Sequence, residues 1–592
     1  MASLATTRQY FTKLGLAHFS LLCVGLMWVL PFLYHVHANP LTTFYQEWGA
    51  AVLGLCAVPL LVTRRYWLQP EIPRIVLLPV GLMLLVLLQF VVGKIDYFSQ
   101  ALLVTLYLLW ATLLIMLGQR LREELGLPVL ATALAAFLLL GGELSTLAGV
   151  LQHFHWHSFL DHVLTGSIGG GVYGNLGQPN HFADYITLGL ISLVLLHTCG
   201  KLRAWQAALL AAPMLFVLVL SGSRSAWLYL LFMAGLGFLW QRRDKFNRRL
   251  LHSSLLLLLG FILMQFVVKL PWLSGDSGAV TTIDRAFQAQ GGGIRLHVWY
   301  EAWLIFTKFP LLGAGFGQFG WQHFLLGPSL HDIRIAGLYN NAHNLVMEIA
   351  AEMGSAGLLV LFGTLALWIR QLRAVPHTIY HWWCGSILAV LAIHSLLEYP
   401  LWYMYFLGVA ALTLGMLDST TYRLELRNAG RLSVASILLL GVLSLVQVWQ
   451  GYQSLLGVVS PQPASTTGED FFNKLTVAHR QELLRPYVEV AMSPLMEGRE
   501  SLADMRELNE SVMHFLPVHS VVYRQVALLA MSGEEAAAQS QLECAIWAYP
   551  AEYPAAFEKL RSLAHNDPAH FAALLEFAPK KYEEYQRAVL AK

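Results

Sequence analysis

Thirteen apolar stretches dominate this chain and leave it few folds to choose from. A helix needs about 20 apolar residues to cross ~30 Å of hydrocarbon. Candidate spans lie at roughly 14–34, 47–63, 73–93, 98–118, 128–150, 182–198, 205–221, 225–241, 250–270, 343–369, 380–395, 399–417 and 432–455. Of the 592 residues 56% are hydrophobic and only 12% are charged, against about 25% charged in a soluble domain. A large soluble enzyme is excluded. The expected fold class is all-α: a polytopic transmembrane helical bundle of about 13 spans.

Loop charge orients it. Arg8, Lys13, Arg64, Arg65, Arg120, Arg122, Lys201, Arg203, Arg242, Arg243, Lys245, Arg248, Arg249, Arg370, Arg373, Arg423, Arg427 and Arg431 fall in one set of loops. The alternate short loops carry little beyond Lys94 and Arg224. The basic set is therefore cytoplasmic, which puts the N-terminus inside and the tail outside. Four features then share the outer side: the loop 151–181, the turn Ser221–Ser225, the long polar loop 271–342 and the turn 396–400. Arg8 and Lys13 precede the first apolar run without a small-residue cleavage site, which reads as a retained first span. The five cysteines imply no disulfide framework. The basic residues are scattered over many loops, so the net charge of +2 points to no nucleic-acid partner.

Two domains are expected. Residues 1–455 form the transmembrane domain, with 271–342 as its large loop. Residues 456–592 open on the linker-like Ser460-Pro461-Gln462-Pro463-Ala464-Ser465 and continue as short segments at helical spacing, Ser520–Met531, Glu534–Trp547 and Ala555–Ala564. Paired short helices resemble tetratricopeptide arrays. No strict period is present, and a generic helical domain is the plainer reading.

Five constellations carry chemistry. Gly177-Gln178-Pro179-Asn180-His181 precedes the sixth span. Its amides and imidazole suit sugar or phosphate contact, and Asn180 also fits a helix N-cap. Ser221-Gly222-Ser223-Arg224-Ser225 places an arginine among small hydroxyl residues at a helix start, where anions are favoured. Gly291-Gly292-Gly293-Ile294-Arg295 offers a close backbone approach to a ligand and a second arginine, followed by an amphipathic 294–308. The later Pro310-Leu311-Leu312-Gly313-Ala314-Gly315 has no lysine in Walker spacing, so a nucleotide loop is not expected. Ala342-His343-Asn344 is expected to set His343 in the first turn of a long apolar helix, whose positive end favours a neutral imidazole suited to general-base work. A histidine at the water interface is the competing reading. Glu348 and Glu352 lie deeper and read as helix anchors. Finally, Glu398-Tyr399-Pro400-Leu401-Trp402-Tyr403-Met404-Tyr405 exceeds an ordinary aromatic belt. Glu398 and either Tyr403 or Tyr405 are candidates for positioning a substrate. No metal-ligand spacing occurs: His153, His155 and His157 alternate rather than recur at four residues.

These motifs together resemble the O-antigen ligase superfamily, and within it the PglL-type bacterial protein O-oligosaccharyltransferases, or pilin glycosylation ligases. The resemblance covers roughly 150–420. It rests on Gly177–His181, Ser223-Arg224-Ser225, Arg295 with Trp299 and the Pro-x-x-Gly-x-Gly at 310–315, His343-Asn344 with Glu352-x-Gly354, and Glu398-Tyr399-Pro400-Leu401. It implies an enzyme of the bacterial inner membrane with a periplasmic active site. It also implies an undecaprenyl-pyrophosphate-linked oligosaccharide donor, a serine or threonine of a pilin-like periplasmic protein as acceptor, and no cofactor or metal. On that chemistry His343 is the candidate base and Arg224 and Arg295 stabilise the leaving pyrophosphate. Gln178, Asn180, His181, Glu398, Tyr403 and Tyr405 then position substrate. The alternatives are a lipopolysaccharide O-antigen ligase, an O-antigen polymerase, and a lipid-linked glycan transporter. The polar groups sit at span ends rather than at mid-membrane depth, which weighs against the transporter.

Overall fold

The computed structural model describes residues 15–63, 66–68, 71–166, 171–243, 248–275, 281–287, 291–331, 337–373, 378–423, 427–462, 466–495 and 501–590. Arg8, Lys13, Arg64, Arg65, Lys245 and the Pro463–Ser465 part of the expected linker lie outside them. The described chain is almost entirely helical, and each of the thirteen apolar stretches is occupied by helix. Hydrocarbon accounts for this: every backbone polar group there must pair within its own segment. Nine described helices are long and apolar enough to cross a membrane. The expected tight pairs at 205–241 and 380–417 explain the gap from thirteen. Ala204–Leu220, Ile379–Ser395 and Met404–Leu417 are shorter helices of 17, 17 and 14 residues, and Ser225–Arg243 ends on Gln241, Arg242 and Arg243. The connection 271–342 is largely helical where it is described, with the helices Thr282–Phe287, Gly291–Lys308 and Phe319–Leu330.

The chain forms two compact units. The first comprises 1–80, 107–289 and 362–445, and the second 81–106, 290–361 and 446–592. The tail beyond 455 therefore shares its unit with earlier segments.

In the first unit the helix Pro179–Thr198 is buried all round from His181 to Leu196. Such a helix must be accommodated by small neighbours. Gly142 and Gly189 face each other, so that a Cβ on either would lie 3.4 Å from the other's Cα. Gly118 and Gly415 do the same for a second crossing, where a Cβ would meet the Leu412 and Ile115 carbonyls. A two-stranded antiparallel ribbon pairs Glu71–Pro73 with Thr421–Arg423, Ile72 opposite Tyr422.

In the second unit the helix Leu345–Leu372 is broken at Gly354, whose φ of 63° and ψ of −159° are not helical. The break leaves backbone groups to satisfy, and the Pro310–Gly315 run satisfies them. Ala314 N donates to Ala351 O (2.9 Å), Gly315 N to Glu352 O (3.0 Å), Ser355 N to Pro310 O (2.8 Å) and Ala356 N to Leu311 O (3.1 Å). The fully buried Gln89 side chain donates to Leu312 O (2.6 Å) and Glu352 O (2.7 Å) and accepts from Phe316 N (3.1 Å).

The tail is a set of packed helices, including His519–Met531, Glu535–Ala548, Tyr553–Asn566 and Pro568–Leu590. The first three match the expected segments to within a few residues. Glu489 is buried there and accepts from Tyr97 Oη (2.7 Å), His479 Nε2 (2.8 Å) and Arg485 Nε (2.8 Å). Burial alone would raise its pKa, but the three donors outweigh it and hold the carboxyl below its usual range. Burial and the same carboxylate push the Tyr97 phenol above its ordinary value.

Candidate active site

The expected site residues divide between the two units. Gln178, Asn180, His181, Arg224, Glu398, Tyr403 and Tyr405 belong to the first, and Arg295 and His343 to the second.

In the first unit the approach to Gln178 is fixed by two buried amides. Gln152 Nε2 donates to Thr165 O and Gly174 O (both 2.8 Å), and its Oε1 accepts from Gly174 N (2.8 Å). Asn175 Nδ2 donates to Leu33 O (2.7 Å) and Val163 O (2.8 Å). The extended Gln178 and the fixed φ of Pro179 then start the enclosed helix. Asn180 is therefore inside the first turn and is not the N-cap. Its side chain is used elsewhere: Nδ2 donates to Glu398 Oε1 (3.1 Å) and Oδ1 accepts from Ser223 Oγ (2.7 Å). Three motifs distant in sequence meet through this one amide. Ser223 N is held in turn by Ser221 Oγ (3.2 Å). One backbone N–H of this turn is thus engaged by a small hydroxyl residue of the same turn. The next residue, Arg224, is exposed, and its guanidinium has no hydrogen-bond or ion-pair partner among the described residues. Gln178 Oε1 is buried without a partner among the described residues.

His181 departs from the expected role. It is buried, with its ring against Tyr403 (4.8 Å), Phe406 (5.2 Å) and His394 (5.3 Å), because position 181 faces the neighbouring helices and not a surface. The two tyrosines also separate. Tyr405 is sealed in the core beside Phe32 (5.0 Å), whereas Tyr403 is half-buried and stacks on Tyr399 (6.0 Å). Tyr403 alone of the pair is placed for a ligand.

In the second unit His343 is not in a helix turn. It has a positive φ of 51° and is followed by Asn344, whose Oδ1 caps the helix by accepting from Val346 N (3.0 Å) and Met347 N (3.2 Å). The asparagine outcompetes a histidine for the cap, since its short side chain reaches back to the free N–H groups. A non-glycine residue at positive φ is held there by its surroundings. Glu348 accepts from Ala342 N and Glu352 from Phe319 N (3.1 Å), which makes both helix anchors as expected. Arg295 is half-buried on Gly291–Lys308, which begins at the triple glycine; those glycines form a helix start and not a ligand-cradling loop. Val298 and Ala302 of that helix share an apolar cluster with Phe319, Ala342 and Ala351, so Arg295 and His343 ride on elements packed together.

Residues 209–362 match the O-antigen ligase family, 172–197 match the protein glycosylation ligase family, and 382–562 match the C-terminal part of a virulence factor membrane-bound polymerase family. Over these segments the chain is similar to the O-antigen ligase superfamily. It resembles the protein-glycosylating branch in particular. It is 26% identical over 461 residues to a general O-oligosaccharyltransferase of Acinetobacter baylyi, covering 75% of this chain and 77% of that protein. It is 24% identical over 376 residues to a ComP-specific O-oligosaccharyltransferase of the same organism, covering 62% of this chain and 66%, just under two thirds, of that one. These matches are to glycosyl-transferring enzymes, and this chain is a multi-pass membrane glycosyltransferase.

Two buried carboxyl–histidine pairs went unread in the sequence. Asp184 Oδ2 pairs with His394 Nδ1 (2.5 Å), both fully buried. Glu301 Oε2 pairs with His323 Nδ1 (2.8 Å), whose Nε2 lies 3.1 Å from Gly337 O. For Asp184 the available signal was a carboxyl group inside an otherwise apolar helix, which at membrane depth marks a partner to be found.

Proposed function

We propose that this chain moves an oligosaccharide from an undecaprenyl-pyrophosphate carrier to a serine or threonine hydroxyl of a periplasmic protein such as a pilin, at the periplasmic face of the inner membrane. The observation that carries the reading is the Asn180 amide joining Glu398 and Ser223 beside the exposed Arg224. A fixed polar network next to an uncommitted guanidinium suits a sugar pyrophosphate, whose phosphate oxygens take arginine's fork. The names of the two Acinetobacter relatives support a protein acceptor.

The chemistry needs little more. The acceptor oxygen attacks the anomeric carbon as the bond to the pyrophosphate oxygen breaks, through an oxocarbenium-like state. Arg224 and Arg295 stabilise the negative charge that stays on the pyrophosphate. His343 takes the hydroxyl proton. Gln178, Glu398 and Tyr403 position the sugar, and His181 supports Tyr403 from behind. A single displacement inverts the anomeric carbon and uses no covalent protein nucleophile.

The match of 382–562 to a polymerase family favours a second reading, in which the acceptor is another lipid-linked glycan. Reconstitution of the purified chain with an undecaprenyl-pyrophosphate oligosaccharide tests both, with pilin, lipid A-core and a second lipid-linked glycan offered in parallel. Glycosylated pilin is expected. Product only on lipid A-core or only on glycan overturns the protein-acceptor reading.

A further inference from the structure

Two polar rungs tie the helix Pro179–Thr198 to the end of Ile379–Ser395 and the turn after it. The first is Asn180 to Glu398 (3.1 Å) and the second is Asp184 to His394 (2.5 Å). The rungs are four residues apart on both sides, 180 to 184 and 398 to 394, which is one helical turn. The chain links them again, because Glu398 N donates to His394 O (2.8 Å). Asp184 and His394 are both fully buried. Around them stand His181 (5.3 Å between rings), Phe406 (5.9 Å) and Tyr229 (6.4 Å). Asp184 Oδ1 and His394 Nε2 have no hydrogen-bond partner among the described residues.

As a strut, this pair is poorly made. A buried carboxyl–imidazole pair with unmet valences is commonly no better for stability than apolar side chains of similar volume, and each orphaned polar atom costs more. What the pair supplies is register. A one-residue slip or a small rotation of either helix separates both rungs at once, while an apolar contact would tolerate it. We propose that Asp184 and His394 are a positioning pair, which holds Asn180 and Glu398 at the geometry that glycosyl transfer requires; this rests on the glycosyltransferase reading above. Neither residue touches substrate.

The test is the full-length double variant Asp184→Val/His394→Leu, with His394→Asn alongside. Asparagine can place an amide donor near the position of His394 Nδ1 and so restore the rung to Asp184. Thermal midpoint in detergent, kcat and donor KM are measured with an undecaprenyl-pyrophosphate oligosaccharide and whichever acceptor the wild type uses. The double variant is expected to keep or raise the midpoint while kcat falls at least tenfold and donor KM changes less than threefold. His394→Asn is expected to recover kcat to within about threefold of wild type. Wild-type kcat in the double variant overturns the inference alone. So does a lowered midpoint with activity lost in proportion, which is the signature of a strut. A wild type that transfers to no acceptor overturns the parent reading and this inference with it.

Discussion

Asn180 offers the sharpest perturbation, because one amide serves two partners with opposite demands. Its Nδ2 donates to Glu398 and its Oδ1 accepts from Ser223. Asn180→Asp keeps the volume and the acceptor but replaces the donor by a carboxylate oxygen about 3.1 Å from Glu398 Oε1. Losing a hydrogen bond to a charged group costs about 1.5–3 kcal/mol. Two carboxylates in contact add repulsion of about 4 kcal/mol at 4 Å and an effective dielectric of 20, part of which a shared proton relieves. Asn180→Ala loses the donor too, and with it the Ser223 contact, worth about 0.6 kcal/mol between membrane helices, but adds no repulsion. At about 1.4 kcal/mol per decade, Asn180→Ala is expected to lower kcat by roughly 10- to 100-fold, and Asn180→Asp is expected to lower it further at pH 7. The assay is transfer from the lipid-linked donor to pilin followed by gel shift, with gel filtration to confirm folding. An Asn180→Asp enzyme with wild-type kcat at pH 7 refutes the reasoning, because a shared proton relieves only part of the repulsion across that contact.

The other expectations follow from separate features. His343→Ala should abolish transfer while the protein still inserts and elutes as a folded species; glycosylation at wild-type rate rejects it as the base. Arg224→Ala should raise donor KM about tenfold (~1.4 kcal/mol) and leave acceptor KM alone, and unchanged donor kinetics reject a phosphate role. Gly354→Ala places a Cβ 2.5 Å from Leu311 O at a φ of 63°. The backbone strain alone is about 1–3 kcal/mol, so a clear drop in thermal midpoint is expected, and an unshifted midpoint contradicts the break at 354. Glu489 has a lowered pKa in the fold, so its stabilisation is complete above the ordinary glutamate value of about 4.3 and is lost as pH falls through the lowered folded value. Glu489→Gln should accordingly lower the midpoint at pH 7 and approach wild type as pH falls through the lowered folded value, and a gap that stays constant down to acid pH contradicts the assignment.

Much of the helix content was legible because hydropathy alone decides it: a chain this apolar has no other way to bury its backbone. The tail helices were legible for a different reason, since Pro517, Gly533, Pro550 and Pro554 punctuate periodic segments. The helices within 271–342 were only partly legible, because span-finding rewards hydropathy and Gly291–Lys308 carries Arg295, His297, Glu301 and Lys308. The candidate residues were visible as motifs, but their partners were not. Nothing in the spacing says that Asn180 reaches Glu398, 218 residues away, or that Asp184 finds His394. Side chains that pair across helices leave no periodic trace. Tyr403 and Tyr405 show the same limit: two residues apart on one turn, one faces His181 and the other faces Phe32, and only packing distinguishes them.

The Pro-x-x-Gly-x-Gly run and the Glu-x-Gly that follows it about 40 residues later make one device, and the backbone explains its composition. Breaking a helix inside hydrocarbon strands carbonyls and N–H groups that water cannot reach. At Gly354 the stranded groups are taken by the backbone of Pro310, Leu311, Ala314 and Gly315, as in a short ladder. A ladder that close leaves no room for side chains. A Cβ at Gly313 would stand 2.2 Å from the Glu352 carbonyl carbon, and one at Gly354 would stand 2.6 Å from Gly313 N. Gln89 fills the remaining valence on Glu352 O, and Lys94 Nζ takes Gly313 O (2.8 Å). The glycines are therefore fixed by contact distance and not by any phosphate. What the break provides is a half-helix, Leu345 to Met353, whose start is set by Asn344 and Glu348 and whose end is clamped by the glycine run. His343 directly precedes the capped start of that half-helix. A substitution at Gly313 or Gly354 should thus impair the proposed base without touching substrate, as broken membrane helices elsewhere place their functional ends by the irregular backbone behind them.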